Sequence, residues 1–302
     1  MKNIKKVAVL MATYNGESWL KSQIRSILNQ KNVNTKIFIR DDRSADNTYK
    51  IIKSFKTRKI NFISNQENQR SASLNFLKLI LKVNEDYDFY AFSDQDDIWE
   101  KNKLYRALTK LNENKCEAYS SNISIRKDNK KIIMNKSNNQ KKYDYIFEGV
   151  PGCTIVLSKN SFLKIKKKLL TLKKIKLNKI SMHDTFIYFF LRFNKISWYI
   201  DNLSFINYRQ HENNVIGVNY GFGLSKKKIH SLKKRLKLVT NGFYRNSILN
   251  IARISGMNNW IIRCLDRLNL FDRINLILNV SHFRRSKLDC FFLVLILLIM
   301  RK

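Results

Sequence analysis

Proline is almost missing: there is one in 302 residues, with only eight glycines. A chain so poor in both has little with which to build long irregular connections, so helix and strand must account for most of it. Acid is scarce too. Asp and Glu number 23 against 58 Lys and Arg, a formal net charge of +35. That excess either marks an anionic partner (nucleic acid, a membrane surface or a phosphorylated substrate) or is solvated background in a chain also rich in Asn and Ile. The four cysteines, Cys116, Cys153, Cys264 and Cys290, are far apart and form no C-x-x-C pair. This argues against a zinc site or a disulfide framework and suits a reducing compartment. The apolar run Val7 to Ala12 is too short for a signal-peptide core. Another, Cys290 to Met300, has 11 residues, whereas a spanning helix needs roughly 20. It reads as a core helix or a segment lying in a membrane interface. These features predict a cytoplasmic protein. Neither G-x-x-x-x-G-K-[ST] nor G-x-G-x-x-G occurs, which removes the usual ATP and dinucleotide loops.

What is present is a repeating order. "VAVLMATYN" reads as a buried strand, and "GESWLKSQIRSILNQ" follows with apolar residues at helical spacing. "KIFIRDDRSADNTYKII" is a second strand, an acidic loop and a helix; "INFISNQEN" and "SASLNFLKLILKV" repeat the pair; "YDFYAFSDQDD" is a fourth strand. Such alternation predicts an α/β fold with a mostly parallel central sheet and helices on both faces, its ligands at the carboxyl ends of the strands. The polar clusters Ala12–Asn15, Asp41–Asp42, Asn65–Arg70 and Asp94–Asp97 all fall at those ends. Short strands follow around "CEAYSSNISIR" and "KIIMN", then a buried strand in "GCTIVLSK" and an apolar helix in "HDTFIYFFLRF". From 221 to 302 the chain holds 17 Lys and Arg against 3 Asp, with apolar residues at helical spacing. We expect a domain over 1–220 and a basic, amphipathic helical region over 221–302, which either meets an anionic membrane surface or packs on the domain.

The acid in "SDQDD" is the feature a basic chain must explain. Asp94 and Asp96 form a D-x-D at a strand end; two carboxylates so close stay ionised only beside positive charge. A divalent cation, Mg²⁺ or Mn²⁺, supplies it and in turn holds a diphosphate. The alternative is an Asp-rich loop capping a helix that starts near Asp97 and Trp99. Asp41 and Asp42 either accept from a base or ribose or, with Ser44, cap the next helix. Asp184 is a candidate general base or a helix cap. His211 is a candidate metal or phosphate ligand or a structural histidine.

Taken in order, "VAVLMATYNGESWLKSQIRSILNQ", "IRDDRSADNT", "AFSDQDDIWEKNKL", "GCTIVLSK", "HDTFIY" and "YRQHENNVIG" resemble a family 2 glycosyltransferase of the GT-A fold, and its rhamnosyltransferase-like branch in particular. The resemblance implies a donor-nucleotide site at Ala12, Tyr14, Asp41 and Asp94, with Arg70 reaching the diphosphate. It implies a metal at Asp94 and Asp96 with His211, a catalytic base at Asp184, and Trp99, Asp97, His183 and Arg209 on the sugar and acceptor side. The implied reaction is an inverting transfer from a dTDP- or UDP-linked sugar, rhamnose-like or hexose, to a growing surface polysaccharide or a polyprenyl-diphosphate-linked glycan. A location at the inner membrane face would follow. The family's D-D-G-S here has Arg43 in place of glycine, a turn that is expected to be strained, and its N-x-G ends in Arg70. A nucleotidyltransferase, or a basic nucleic-acid-binding protein, are the competing classes.

Overall fold

The computed structural model describes residues 4–65, 70–84, 86–127, 130–135, 140–209 and 237–301. The chain divides into two compact units, one of residues 1–137 and 149–209, the other of residues 138–148 and 210–302.

In the first unit the chain runs β1 (Lys6–Thr13), α1 (Leu20–Leu28), β2 (Asn34–Asp41), α2 (Thr48–Ser54), β3 (Ile60–Ile63), α3 (Ala72–Lys82) and β4 (Phe89–Ser93). It continues through β5 (Ile98–Trp99), α4 (Lys103–Glu113), β6 (Ala118–Ser121), β7 (Ile123–Lys127) and β8 (Lys130–Met134). The short α5 (Asp144–Phe147) belongs to the second unit. Back in the first unit come β9 (Val156–Ser158), α6 (Lys159–Leu170), α7 (Lys174–Leu177), α8 (His183–Phe193), β10 (Trp198–Asp201) and β11 (Ile206–Asn207).

Seven strands form one sheet in the order β10-β6-β9-β4-β1-β2-β3. All neighbours are parallel except β9, which runs antiparallel to both β4 and β6. Strands covered on both faces read as unbroken apolar runs, and Val7 to Met11 are indeed fully buried. The register decides where the polar ends meet. Thr13 of β1 lies opposite Asp41 of β2, and Met11 lies opposite Ser93 of β4, so the loops after these three strands open side by side.

Three local expectations change. The strand foreseen over "GCTIVLSK" is only three residues, preceded by a 3₁₀ turn at Gly152–Thr154. No helix starts at Asp97 or Trp99. Trp99 sits in β5, opposite Ile206 of β11, and α4 begins at Lys103. The acidic loop is therefore not a helix cap. Finally, β5, β11, β7 and β8 make a separate four-stranded sheet.

The second unit is helical: α9 (Phe243–Ser255), α10 (Trp260–Arg267), α11 (Leu270–Leu278) and α12 (Lys287–Ile299). The side chains of Asn259, Asn269 and Ser286 cap the last three by accepting from the N–H groups of Ile262, Asp272 and Asp289. The fully buried Arg285–Asp144 ion pair (2.7 Å) and the Tyr143 N–H bond to the His282 carbonyl (3.1 Å) fasten residues 138–148 to these helices. Among the described residues no helix is long and apolar enough to cross a membrane.

Candidate active site

The loops after β1 and β2 are laced together by side chains. Thr13 Oγ1 donates to Asp41 Oδ1 (2.8 Å), and the Ser44 hydroxyl and N–H donate to the two oxygens of the same carboxylate. Asn15 donates its N–H to Ser44 and accepts from the Ala45 N–H, and the Gly16 N–H reaches Thr48 Oγ1. Asp42 does not cap α2. Its carboxylate accepts from the Asn65 amide and the Ser71 N–H and so fixes the entry to α3. Arg43 has φ +60° and Arg70 φ +46°. The strain expected at Arg43 is present, a cost of about 1–2 kcal/mol for a residue with a Cβ. Arg70 is exposed, and the Tyr14 ring is 41% exposed at the mouth of the same loops. Ala12 closes the floor of this region at the end of β1.

Gln95, the middle residue of the D-x-D, joins this scaffold to the acidic loop. Its Oε1 accepts from the Tyr14 N–H and its Nε2 donates to the Tyr14 carbonyl, both at 2.9 Å. A Cβ at Gly16 would strike that amide, at Oε1 and at Cδ (2.8 Å). The missing Cβ leaves room for that amide. Arg209 holds the other side of the loop. Its guanidinium donates to the carbonyls of Asp96, Asp97 and Trp19 and to the Ser22 hydroxyl, and its carbon lies 4.9 Å from the centre of the Trp19 ring.

Acid gathers inside this frame. Burial, and then Asp97, Asp96 and Asp184 in that order, push the Asp94 carboxyl well above its usual range. Asp97 faces inward, fully buried, and neither of its oxygens has an N–H or O–H partner among the described residues. Burial and Asp96 raise it to about 7, against the opposing pull of the Cys153 thiol, Arg209 and Lys103. Behind it Lys103 Nζ sits 3.6 Å above the ring centre of the buried Trp99, and burial lowers that ammonium to about 7. One ligand atom each from Asp94, Asp97 and Cys153 lie within 4.8 Å of one another. Crowded carboxylates with orphaned oxygens suit a hard divalent cation, and the thiol, pushed up by burial, is its least suited neighbour.

Asp184 stands in the first turn of α8, where the helix dipole favours an anion. The Thr185 N–H holds its Oδ1 at 2.7 Å. A Cβ at Gly152 would lie 3.2 Å from the Asp184 Cβ and from His183 Nε2, so the glycine of "PGCT" lets the start of α8 pack closely here. The adjacent His183 lies flat on Phe76, ring centres 4.0 Å apart, and burial lowers its pKa, which keeps the imidazole neutral. His211 lies outside the described residues. Gln95, Gly16, Cys153 and Lys103 carry no local sequence signal for the parts they play here, since each acts on a neighbour distant in the chain.

A family model described as glycosyl transferase family 2 matches residues 8–196. A dTDP-rhamnosyl transferase of Shigella flexneri, RfbG, is 38% identical over 295 residues, covering 96% of this chain and 99% of that protein. An Escherichia coli protein, UDP-Glc:alpha-D-GlcNAc-diphosphoundecaprenol beta-1,3-glucosyltransferase WfgD, is 31% identical over 131 residues, 43% of this chain and 48% of its own length. Among solved structures, S. aureus TarS with UDP-GlcNAc shares the fold at a TM-score of 0.59 and 13% identity, covering 96% of this chain and 79% of that one.

Proposed function

This chain belongs to glycosyl transferase family 2, and from that premise we propose an inverting transfer of a rhamnose-like sugar from a dTDP-linked donor to a hydroxyl of a growing surface glycan. The observation that carries this reading is the grouping of ligand atoms of Asp94, Asp97 and Cys153 within 4.8 Å of one another, with Asp96 and Asp184 near enough to Asp94 to push its carboxyl up. It supplies the two things direct displacement needs: a place for a diphosphate's countercharge and a base across from it. The length of the match to the Shigella rhamnosyl transferase favours dTDP and a deoxyhexose over UDP and a hexose. The E. coli relative's name places its acceptor on a diphosphoundecaprenol carrier, and an acceptor of that kind suits a chain of this charge.

In this reading Asp184 takes the proton of the acceptor hydroxyl on Oδ2, because Oδ1 is held by Thr185. The oxygen then attacks the anomeric carbon from the face opposite the leaving nucleoside diphosphate, which inverts the centre. Asp94 and Asp96, with Asp97 beside Asp94, would hold a Mg²⁺ or Mn²⁺ ion, which would neutralise charge on the diphosphate. Asp41 and Tyr14 line the nucleotide side, and the Gln95 and Arg209 contacts keep the acidic loop in register with them. Asp97 and Lys103, behind the loop, set its local charge.

Asp184→Asn is expected to bind dTDP as wild type does and to lose at least about a hundredfold in kcat, the lower end for a removed general base. Equal turnover would refute the base assignment. Thermal unfolding with dTDP or UDP, with and without Mn²⁺, tests the donor class: a nucleotide at a hundred times its Kd stabilises by about 2.7 kcal/mol. A shift with UDP compounds alone would overturn the dTDP assignment.

A further inference from the structure

The last two helices carry apolar side chains toward solvent as well as toward the core. On α12, Leu293 and Leu297 are fully buried. On its other side Leu288, Phe291, Phe292, Leu295, Leu298 and Ile299 are exposed, Phe291 by 58%, at spacings of three and four that make one continuous face. On α11, Leu270, Ile274 and Leu278 recur every fourth residue with Phe271 beside them, and Leu270 and Leu278 are each 75% exposed. The two helices are tied together by Arg273, which donates to the carbonyls of Leu297 and Met300. Single exposed apolar residues are ordinary, but ten on two joined helices call for a cover.

Charge identifies that cover. Lys287 opens α12, Arg301 and Lys302 follow it, and no charged residue lies between Asp289 and Arg301. Among the described residues the acids of this unit are engaged: Asp272 by Arg267, Asp266 by Arg253, Asp144 and Glu148 by Arg285, and Asp289 by the Ser286 hydroxyl. One position beyond the apolar row on α11, Asn275 and Asn279 line an open cleft with Trp260, Arg263 and Arg267. An indole and the Arg263 guanidinium beside an apolar strip are groups that meet an interfacial phosphate. A second copy is a poorer cover, since a two-fold pairing would oppose Lys287 and Arg301 to like charge. At 1.5 Å per residue α12 is about 20 Å long, short of a hydrocarbon core of about 30 Å; it lies along a bilayer and does not cross it.

We propose that α11 and α12 form a docking face for an anionic membrane, with the apolar row sunk into the interface and the flanking bases against phosphate headgroups. Docking requires no sugar transfer, so this inference and the proposed function fail separately. The test is co-sedimentation of the full chain with phosphatidylethanolamine–phosphatidylglycerol vesicles. Wild type is expected in the pellet. Phe291→Ser with Phe292→Ser, and independently Leu270→Ser with Leu278→Ser, should each bind at least tenfold more weakly with an unchanged circular dichroism melt. Lys287→Gln with Arg301→Gln should weaken binding several-fold and reduce its salt dependence, while transfer to a water-soluble acceptor stays at the wild-type rate. Wild type left in the supernatant, or serine variants that pellet equally, would overturn the proposal. So would a dimer in sedimentation equilibrium that the serine variants dissolve while vesicle binding persists, since the face would then be covered by another copy.

Discussion

The Gln95 amide and Gly16 lend themselves to a double-mutant cycle whose outcome the geometry fixes in advance. Gln95→Ala removes two neutral hydrogen bonds to the Tyr14 backbone. Each contributes about 1 kcal/mol net, and the half-exposed setting lets water replace part of it, so the loss should be about 1–2 kcal/mol. Gly16→Ala keeps the Thr48 bond to its N–H and meets no backbone strain, since Gly16 is not among the residues of positive φ. Its new Cβ nevertheless occupies the place of the Gln95 amide, so it should cost a similar 1–2 kcal/mol by expelling that amide. With Gln95 already alanine the space is open. The second substitution should then be neutral, or stabilising by about 0.4–1 kcal/mol through the unfolded chain. The expected coupling is thus about 1–3 kcal/mol, read from urea unfolding, and each single variant should lose roughly five- to thirtyfold in kcat/KM of transfer. Additivity within about 0.5 kcal/mol would show that the two residues do not share the space, and would refute the clamp between the nucleotide loop and the acidic loop.

Two further expectations rest on buried charge. In chelator, Asp94 and Asp97 hold protons in the folded chain more tightly than in the unfolded one. The folded state therefore binds more protons between the ordinary carboxyl range near pH 4 and about pH 7, and stability should fall as pH rises through that window. Asp97→Asn should flatten the fall and raise stability at pH 7 by on the order of 1–3 kcal/mol; a wild-type stability that climbs from pH 4 to 7 in urea titrations would refute this. In the second unit, Asp144→Asn takes from the buried Arg285 guanidinium its 2.7 Å carboxylate partner and leaves Glu148 at 3.2 Å. A loss of about 3 kcal/mol is expected in the melt, largely recovered by Asp144→Leu with Arg285→Met, and a loss below about 1 kcal/mol would count against the pair.

The α/β order was legible because strands buried on both faces leave unmistakable apolar runs, as in "VAVLMA", and because parallel register brings their polar ends together. Asp94, Asp96 and Asp184 could be singled out for the same reason, each sitting where a strand or helix changes into loop. What stayed hidden depends on partners far off in the chain. The start of α4 is the plainest instance. Its own N-cap position, Asn102, makes no side-chain capping bond. Gln30 does the capping instead, accepting from the Leu104 N–H and donating to the Glu100 carbonyl. A local reading moved that helix forward to the nearest acid and so missed β5, which at two residues has no period to detect. The inward turn of Asp97 toward Cys153, the Gln95 amide on Tyr14 and the Arg209 bonds to Asp96 and Asp97 are likewise products of packing, across separations that spacing rules do not reach.

Residues 138–148 have a consequence for how such a chain can be inherited. The chain leaves the first unit after residue 137, contributes Tyr143, Asp144 and Phe147 to the helical unit through His282, Arg285 and Tyr244, and resumes the first unit at Gly149. A ribosome must therefore release residue 285 before that early segment can settle. For the same reason the helical end is no interchangeable cassette. A gene that acquired a new C-terminus by a single crossover near residue 210 would keep the old clasp and lose its socket, so this unit can be exchanged only by recombination at two places, or by slow change in both segments together.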